Sequence, residues 1–303
     1  MMDIAYAPCY VLEVPEGHRF PMEKYALLKD QILYEGIVSD SDFFAPTAMP
    51  AETILLAHDA DYWDRTLRGK WTRKEERRSG FPWSEAMVER ERVIMQGTLE
   101  CAKKALTSGS VAMNIAGGTH HAYSNRAEGF CIFNDFAIAS KWLLSNNSLA
   151  RILIVDCDVH QGNGSAAILT EEPRVTTFSM HGASNYPLNK ETSDIDVALP
   201  DGTTDEVYLS LLKTHLESLI PADGIRPDLV MYQCGVDVLA SDKLGRLALT
   251  LQGCMSRDRM VFQMCREWDI PVVCAMGGGY SPTVNTVVQA HVNTFRAALD
   301  VWT

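Results

Sequence analysis

The sequence lacks the long apolar segments and the leader that would direct a chain into or across a membrane. No stretch of its 303 residues approaches the roughly 18 consecutive apolar residues of a membrane-spanning helix. The opening residues Met1 to Ala5 contain neither the basic region nor the apolar run of a secretion signal. We therefore expect a cytoplasmic protein with no membrane span.

The sequence also lacks closely spaced cysteine pairs, although it contains eight cysteines. The absence of a CxxC pair argues against a redox couple and against a zinc site built from thiolates. Single cysteines in a reducing compartment behave as small buried apolar residues. We predict such burial for all of them, which are Cys9, Cys101, Cys131, Cys157, Cys234, Cys254, Cys265 and Cys274.

Positive charge is scarce, since 27 lysines and arginines face 39 acids and the net charge is -12. This balance argues against nucleic acid as a partner, because such binding requires basic residues that neutralise phosphates. Residues 65–78 differ from the rest, because they contain seven basic and two acidic residues. We expect this segment to be a solvated surface loop, with contact to an acidic partner as the alternative.

No Gly/Ser-rich or Pro-rich linker and no internal repeat divides the chain, so we predict a single domain over residues 1–303. Five short apolar runs have the pattern of strands buried on both faces: Val111–Ala116, Ile152–Val155, Val175–Met180, Leu229–Tyr232 and Val272–Met276. Amphipathic segments alternate with them: Glu85–Leu106, Phe133–Leu144, Glu206–Leu219 and Gly253–Trp268. The alternation predicts an α/β fold with an open, mainly parallel β-sheet and helices on both faces.

A polar cluster follows each of four predicted strands. Ligands of open α/β sheets bind at the carboxyl ends of the strands, so these clusters should meet at one rim of the sheet. The clusters are Gly117–His121, Asp156–Gly164, Gly235–Asp237 and Gly277–Tyr280.

The spacing of three residues in these clusters predicts a metal site. Asp158 and His160 lie two residues apart on a chain that leaves a strand, so their side chains can point the same way, and Asp237 follows another strand. Imidazole with carboxylates suits zinc or ferrous iron, and three protein ligands leave positions open for water and substrate. The alternative is that Asp156 and Asp158 cap the next helix and that His160 is an ordinary interior histidine.

Two histidines and a tyrosine gain a chemical role beside such a metal. Amide hydrolysis needs a base that takes a proton from water and an acid that protonates the leaving amine, and His120 and His121 titrate in the range for both. Asp156 and Asn163 are candidates to orient their other ring nitrogens. Tyr280, after three glycines, would donate a hydrogen bond to the carbonyl oxygen. Without a metal, these would be ordinary loop side chains.

Together these segments closely resemble the histone deacetylase superfamily, whose fold is similar to that of arginase. The resemblance extends from Pro21 to Val288 and rests on motifs in the family's order and spacing: Ala116–His121, Glu128–Asp135, Asp156–Gly164, Gly235–Asp237 and Gly277–Tyr280. The short length, together with Gly80–Trp83 and Ser179–Gly182, is most similar to the class IV branch and its bacterial relatives.

The resemblance implies roles for the matching residues. The metal ligands, for Zn²⁺ or Fe²⁺, would be Asp158, His160 and Asp237. The catalytic residues would be His121 as general base and acid, His120 as an electrostatic partner paired with Asp156, Asn163 as the partner of His121, and Tyr280 as the donor that polarises the carbonyl. The substrate-binding residues would be Gly129, Phe130, Tyr186 and Gly278, with Leu244 near the mouth of an acyl-lysine tunnel. A structural K⁺ would be held, largely through main-chain carbonyls, by Asp156, Asp158, His160, Ser179 and Met180.

Two positions depart from the family pattern. Asn163 stands where class I members usually carry Asp, so the pKa of His121 should be less raised than beside a carboxylate. Tyr186 stands where many relatives have Phe, which adds a hydroxyl group to the expected tunnel wall.

The predicted activity is removal of acetyl or longer acyl groups from ε-N-acyl-lysine of a protein or peptide by a metal-dependent hydrolase. One alternative is deacetylation of a small acylated amine such as an acetylpolyamine, and another is an inactive acyl-lysine-binding module. An arginase-like site with two metals is disfavoured, because it needs a second carboxylate two residues after Asp237 and Leu239 stands there.

Overall fold

A computed structural model describes residues 2–146, 149–219 and 226–302, and strands from all three ranges build one sheet. The strands are β1 (Asp3–Ala5), β2 (Phe43–Phe44), β3 (Val111–Asn114), β4 (Ile152–Asp156), β5 (Val175–Gly182), β6 (Ile195–Leu199), β7 (Leu229–Gln233) and β8 (Val272–Ala275). Their order is β2-β1-β3-β8-β7-β4-β5-β6, and all neighbouring strands are parallel. The predicted α/β class with a parallel sheet is confirmed.

The central strands are buried along their whole length, which explains why the sequence revealed them. Every residue of β3, β4, β7 and β8 is buried, as continuous apolar runs predict for a sheet covered on both faces. Strands β1 and β2 have three and two residues, too few for a periodic signal. Strand β6 lies at the edge and alternates exposed with buried positions, so no apolar run marks it.

Ten α-helices in the described part of the chain connect and cover these strands. They are α1 (Lys24–Tyr34), α2 (Ala51–Ile54), α3 (Ala60–Leu67), α4 (Arg73–Ser79), α5 (Glu85–Ser108), α6 (Asp135–Asn146), α7 (Asn163–Leu169), α8 (Asp205–Ser218), α9 (Leu251–Glu267) and α10 (Val284–Trp302). The four predicted helices are present as α5, α6, α8 and α9. None of the helices in the described residues is long and apolar enough to cross a membrane.

Helix ends follow local chemistry that the sequence carries. Helix α5 begins after Ser84, whose side chain accepts a hydrogen bond from the Met87 N–H, and it ends at Gly109 in the left-handed region. Helix α9 begins after Thr250, whose side chain accepts from the Gly253 N–H. These caps satisfy backbone groups that have no partner inside the helix.

The predicted surface loop over residues 65–78 is present only at residues 68–72, and the prediction was wrong for the rest, which lies in α3 and α4. Residues Arg73–Ser79 form helix α4, which begins with a capping box between Thr72 and Glu75 and ends at Gly80 with a φ of 82°. The reciprocal hydrogen bonds of a capping box stabilise even a short helix, and a glycine in the left-handed region stops it cleanly. The high charge of the segment concealed these two signals.

The predicted burial of the cysteines holds for seven of the eight and fails at Cys9, which is exposed. Cys9 lies in the short 3-10 helix Pro8–Tyr10, which buries Tyr10. A single tight turn points its residues in different directions, so burial of the tyrosine leaves the thiol in water.

Candidate active site

The polar clusters meet at one edge of the sheet. Strands β3, β8, β7 and β4 are consecutive neighbours, and each is followed directly by one of the four clusters. Because the strands are parallel, their carboxyl ends lie side by side and bring distant parts of the chain together.

Asp158, His160 and Asp237 form the group that can hold a metal ion. One ligand atom from each lies within 4.8 Å of the others. The exposed fractions of the three residues are 1%, 8% and 0%, so water reaches the site mainly past His160. Two carboxylates and one imidazole are the donors that zinc or ferrous iron prefers, and the residues present fit such an ion.

Backbone N–H groups set the direction of both ligand carboxylates. The Gly278 N–H donates to Asp158 Oδ2 and the Val159 N–H donates to Asp237 Oδ1, each at 3.0 Å. His160 Nδ1 lies 3.1 Å from Asp158 Oδ1 and 3.1 Å from Asp237 Oδ2. The oxygens that face the imidazole are thus held in place before an ion binds.

The electrostatics of this group favour a cation. Burial, together with the charge of the neighbouring Asp158, raises the pKa of Asp237 to about 7. Burial alone would lower the pKa of His160, but its hydrogen bonds to Asp158 and Asp237 outweigh that effect and raise the pKa to about 10. Two adjacent buried carboxylates repel each other, so a positive charge between them is stabilised.

His120 and His121 lie beside the metal ligands with their rings 4.1 Å apart. His120 Nδ1 is 2.7 Å from Asp156 Oδ2. Burial opposes protonation of His120, but Asp156 and Asp158 outweigh it and raise its pKa to about 9. Burial lowers the pKa of His121 well below its usual value, and the charges of His120 and His160 add to that shift. The two histidines therefore differ in charge near neutral pH.

The side-chain amide of Asn163 determines which nitrogen of His121 carries its proton. Asn163 Nδ2 donates to Tyr123 Oη at 3.0 Å and to Glu128 Oε1 at 3.2 Å, so the amide oxygen faces His121 Nδ1 at 2.6 Å. An amide oxygen only accepts hydrogen bonds, and His121 must donate from Nδ1. The Nε2 lone pair is then free to accept a proton.

Tyr280 is positioned by the turn that follows β8. Its N–H donates to Asp242 Oδ2 at 2.6 Å, and its ring packs against Phe20 and Phe130 with centroids 6.0 and 5.8 Å away. Lys24 Nζ donates to the Gly277 carbonyl at 2.8 Å and holds the start of the same turn. Burial raises the pKa of Tyr280 well above its usual value, so the phenol remains a hydrogen-bond donor.

A cavity of about 1010 Å³ connects the surface with these groups. It reaches His121, His160 and Tyr280 at its inner end, and the predicted substrate-binding residues Gly129, Phe130, Tyr186 and Leu244 line it. A second cavity of about 40 Å³ lies at the metal ligands themselves, because Asp158, His160 and Asp237 line it together with Gly278 and Arg90. Of the residues predicted for substrate, Gly278 thus lies at the inner end, against the ligand carboxylates.

Two hydrogen-bonded connections hold the walls of the outer cavity. Phe130 has a φ of 66°, which costs an aromatic residue about 1–3 kcal/mol; its N–H donates to the Ser79 carbonyl at 2.8 Å. On the opposite wall, Tyr186 Oη donates to Glu128 Oε1 at 2.5 Å. The same Glu128 oxygen accepts from Asn163, so the wall tyrosine and the partner of His121 share one carboxylate.

The residues predicted to hold potassium lie together at the carboxyl ends of two strands. Asp156 on β4 and Ser179 on β5 are register partners, and Met180 follows on β5. Asp158 and His160 follow β4 directly. Their main chains are thus adjacent, and ion binding there stays a prediction.

Three residues of the site had not been singled out from the sequence: Arg257, Lys24 and Glu128. Arg257 on α9 is fully buried, and its guanidinium donates to the carbonyls of Cys157, Cys234 and Gly235. These carbonyls belong to the two loops that carry Asp158 and Asp237. No local pattern separates such an arginine from others on an amphipathic helix, because its partners lie in distant loops.

The chain is similar to known proteins over almost its whole length. Residues 18–295 match a family model described as histone deacetylase domain. An uncharacterized protein of Picosynechococcus sp. is 42% identical over 299 residues, which cover 99% of each chain. Histone deacetylase 2 of Arabidopsis thaliana is 27% identical over 303 residues, which cover 96% of this chain and 78% of that protein.

Solved structures share the fold. The crystal structure of an HDAC homolog from Aquifex aeolicus superimposes with a TM-score of 0.81 at 23% identity, covering 97% of this chain and 82% of that chain. An HDAC homolog complexed with SAHA gives a TM-score of 0.82 at 23% identity and the same coverage.

Proposed function

The chain belongs to the histone deacetylase family, and we propose that it hydrolyses ε-N-acyl-lysine, with acetyl as the preferred acyl group, through one Zn²⁺ ion or Fe²⁺ ion. Membership makes it a hydrolase of the deacetylase type. The observation that supports acyl-lysine as the substrate is the outer cavity, which leads from the surface to His121, His160 and Tyr280. A cavity that leads from the surface to buried catalytic groups suits an acyl group at the end of a flexible aliphatic chain.

The metal ligands of the proposal are Asp158, His160 and Asp237. A divalent ion bound there supplies the Lewis acidity that makes water nucleophilic near neutral pH and polarises an amide carbonyl. Leu239 is buried in the core and offers no carboxylate, which supports one ion rather than two.

The proton transfers of the proposal fall to the histidines. His121 accepts a proton from water at Nε2, because its Nδ1 is occupied with Asn163, and it returns the proton to the leaving amine. His120, held in the charged form by Asp156, places a positive charge beside the developing oxyanion. The phenol of Tyr280 donates a hydrogen bond to the same oxygen.

The size of the inner cavity supports a short acyl group. Its volume is about 40 Å³, which is room for about three water-sized groups. The three metal ligands line this cavity, so an ion and its water would fill part of it. A short acyl group needs the least further space, whereas a long chain requires the surrounding side chains to move.

A panel of substrates tests the activity. Peptides that carry acetyl-, butyryl- or myristoyl-lysine, and an acetylated polyamine, are incubated with enzyme loaded with Zn²⁺ or Fe²⁺, and the release of free amine is measured. We expect the acetyl-lysine peptide to give the highest kcat/KM. Turnover of the acetylpolyamine without turnover of any peptide would contradict the proposal, and failure to hydrolyse any of them would indicate a binding module.

The Asp237→Ala variant tests the metal site by a second readout. Loss of one of three ligands should lower bound metal, measured by elemental analysis after dialysis, together with activity. Normal metal content in this variant would remove Asp237 from the ligand set.

A further inference from the structure

Four arginines surround the mouth of the outer cavity. Arg19, Arg73, Arg77 and Arg78 line it, and the acidic residue among the lining groups is Glu76. All four arginines are exposed, and none of them forms an ion pair with a described carboxylate. The mouth is therefore a site of uncompensated positive charge.

Three of the four other basic residues in segment 65–78 differ in this respect, and the exception is the exposed Lys74. Arg65 pairs with Asp61 and Glu75, and Arg68 and Lys70 pair with Asp64. None of these three basic residues lines the cavity. Most of the positive charge away from the mouth is thus paired with carboxylates, whereas the four arginines at the mouth are not, which is not the pattern of a uniformly solvated surface.

Helix α4, which carries three of the four arginines, is fastened to the wall of the cavity. The Gly129 N–H donates to the Arg78 carbonyl at 3.0 Å and the Phe130 N–H donates to the Ser79 carbonyl at 2.8 Å. His18 Nε2 lies 2.8 Å from the Gly80 carbonyl. The backbone of Arg73, Arg77 and Arg78 therefore has a fixed position relative to the channel.

This charge is opposite to that of the rest of the molecule. The whole chain has a net charge of -12, so a positive mouth stands out against an acidic surface. A peptide whose acyl-lysine occupies the channel must place its neighbouring residues beside the arginines. Acidic neighbours are attracted there, whereas a polycation such as a polyamine is repelled.

We propose that the mouth arginines select acyl-lysine that is flanked by aspartate or glutamate in a peptide or protein, and that they disfavour acetylated polyamines. The inference rests on the proposed function, because it assigns the substrate class of the same site. The binding group is the set of guanidinium groups of Arg19, Arg73, Arg77 and Arg78, and the recognised group is the carboxylate of a flanking side chain.

Matched peptides test this selection. Three peptides of equal length carry a central acetyl-lysine flanked by two aspartates, two serines or two lysines. The wild-type enzyme should show a kcat/KM for the acidic peptide about tenfold above that for the basic peptide at low salt. The ratio should fall towards one in about 0.5 M NaCl, because exposed charges are screened.

Variants at the mouth and away from it test whether the mouth arginines cause the preference for acidic peptides. The double variant Arg73→Gln/Arg77→Gln removes two lining charges from one face of α4, and it should reduce the ratio of acidic to basic kcat/KM to about threefold or less. The double variant Arg68→Gln/Lys74→Gln removes the same charge from residues that do not line the cavity, and it should keep the wild-type ratio. Because the ratio is taken within one enzyme, a loss of folded protein cancels.

The outcomes separate this inference from the proposed function. Equal hydrolysis of all three peptides by the wild type, or an unchanged ratio in Arg73→Gln/Arg77→Gln, overturns the selection while leaving the deacylase activity intact. Preference for the acetylated polyamine over the serine-flanked peptide overturns it as well. Hydrolysis of none of the peptides overturns the proposed function and this inference with it.

Discussion

Asn163 controls the protonation of His121 through a neutral amide rather than a carboxylate. Its Nδ2 is held by Tyr123 and Glu128, so its oxygen faces the imidazole at 2.6 Å. A neutral partner adds no charge to offset burial, and the pKa of His121 is lowered. The sequence argument expected the pKa of His121 to be less raised than beside a carboxylate; burial and the charges of His120 and His160 instead lower it.

Asn163→Asp should shift the pH dependence of the enzyme. A carboxylate beside His121 raises the pKa of the imidazole, so the neutral base is lost at a higher pH. We expect the acidic limb of the kcat/KM profile of metal-saturated enzyme to move to higher pH by about one unit. An unchanged limb, or a shift to lower pH, would show that another group controls it.

The introduced carboxylate also faces Glu128, which complicates Asn163→Asp alone. The double variant Glu128→Gln/Asn163→Asp removes this repulsion and restores a donor to the site. It should retain the shift of the acidic limb with a smaller loss of stability, measured by thermal unfolding.

Tyr280 acts through one hydrogen bond, so its removal should separate catalysis from metal binding. In Tyr280→Phe the ring packing against Phe20 and Phe130 is kept, while the donor to the carbonyl oxygen is lost. We expect kcat to fall by about two to three orders of magnitude with unchanged metal content. Full activity of Tyr280→Phe would exclude the proposed role.

At the scale of elements, helix α9 holds together the two loops that supply the metal ligands. Arg257 bonds to carbonyls in both loops and forms a buried ion pair with Asp258 at 2.8 Å. Asp258 in turn accepts from Tyr232 on β7 and from Thr294 on α10. The geometry of the ligands therefore depends on a helix that contributes none of them.

Arg257→Met should weaken both the fold and the metal site. It leaves the buried Asp258 without its counter-charge and the loop carbonyls without their donor, which costs about 3–5 kcal/mol in the free energy of unfolding. Metal affinity, measured by chelator competition, should fall about 10- to 100-fold. Arg257→Lys keeps the charge but cannot reach every carbonyl, and it should lie between the wild type and Arg257→Met.

Arg259→Met is the matched control on the same helix. Arg259 is partly exposed and pairs with Asp300, so its loss should change the free energy of unfolding by less than about 1 kcal/mol. Equal effects of Arg257→Met and Arg259→Met on metal affinity would contradict the role given to Arg257.

At the scale of the whole molecule, buried neutral histidines connect stability to pH. His58 accepts from the Asn134 N–H at 2.9 Å, so its other nitrogen must donate to the Tyr123 carbonyl, 3.0 Å away. Burial lowers the pKa of His58 to about 4 from an ordinary value of 6.5. The folded state therefore resists a proton that the unfolded chain accepts.

The contribution of His58 to the free energy of unfolding should decrease as the pH falls from 6.5 to 4. Between these values the unfolded state binds more protons than the folded state, so the stabilisation is complete above pH 6.5 and is lost as the pH falls. The contribution of His58 is about 3 kcal/mol, measured by denaturant unfolding across the range. His58→Gln should show a shallower dependence of the free energy of unfolding on pH than the wild type.

If His58→Gln does not fold, an NMR titration of the histidines in the wild-type protein measures the pKa of His58 directly. The His58 resonances should report a neutral ring down to about pH 4. Titration of His58 near pH 6.5 in the folded protein would contradict the assignment.

The sequence predicted most strongly where the signal is local. The runs that became β3, β4, β7 and β8 are apolar at every position because the sheet is covered on both sides. The two-residue spacing of Asp158 and His160 needs no tertiary information to suggest chelation. The sequence failed at β6, whose edge position makes its pattern alternate, and at α4, whose charge hid a capping box.

By itself, the sequence determined the fold class, the family and the residues to consider for the metal, because hydrophobic periodicity and motif spacing are properties of neighbouring residues. The tertiary structure alone decided how those residues are supported. The direction of the Asn163 amide, the clamp of Arg257 on two loops and the attachment of α4 to Phe130 all depend on hydrogen bonds between distant parts of the chain. Such contacts form only when the fold closes, and no local pattern encodes them.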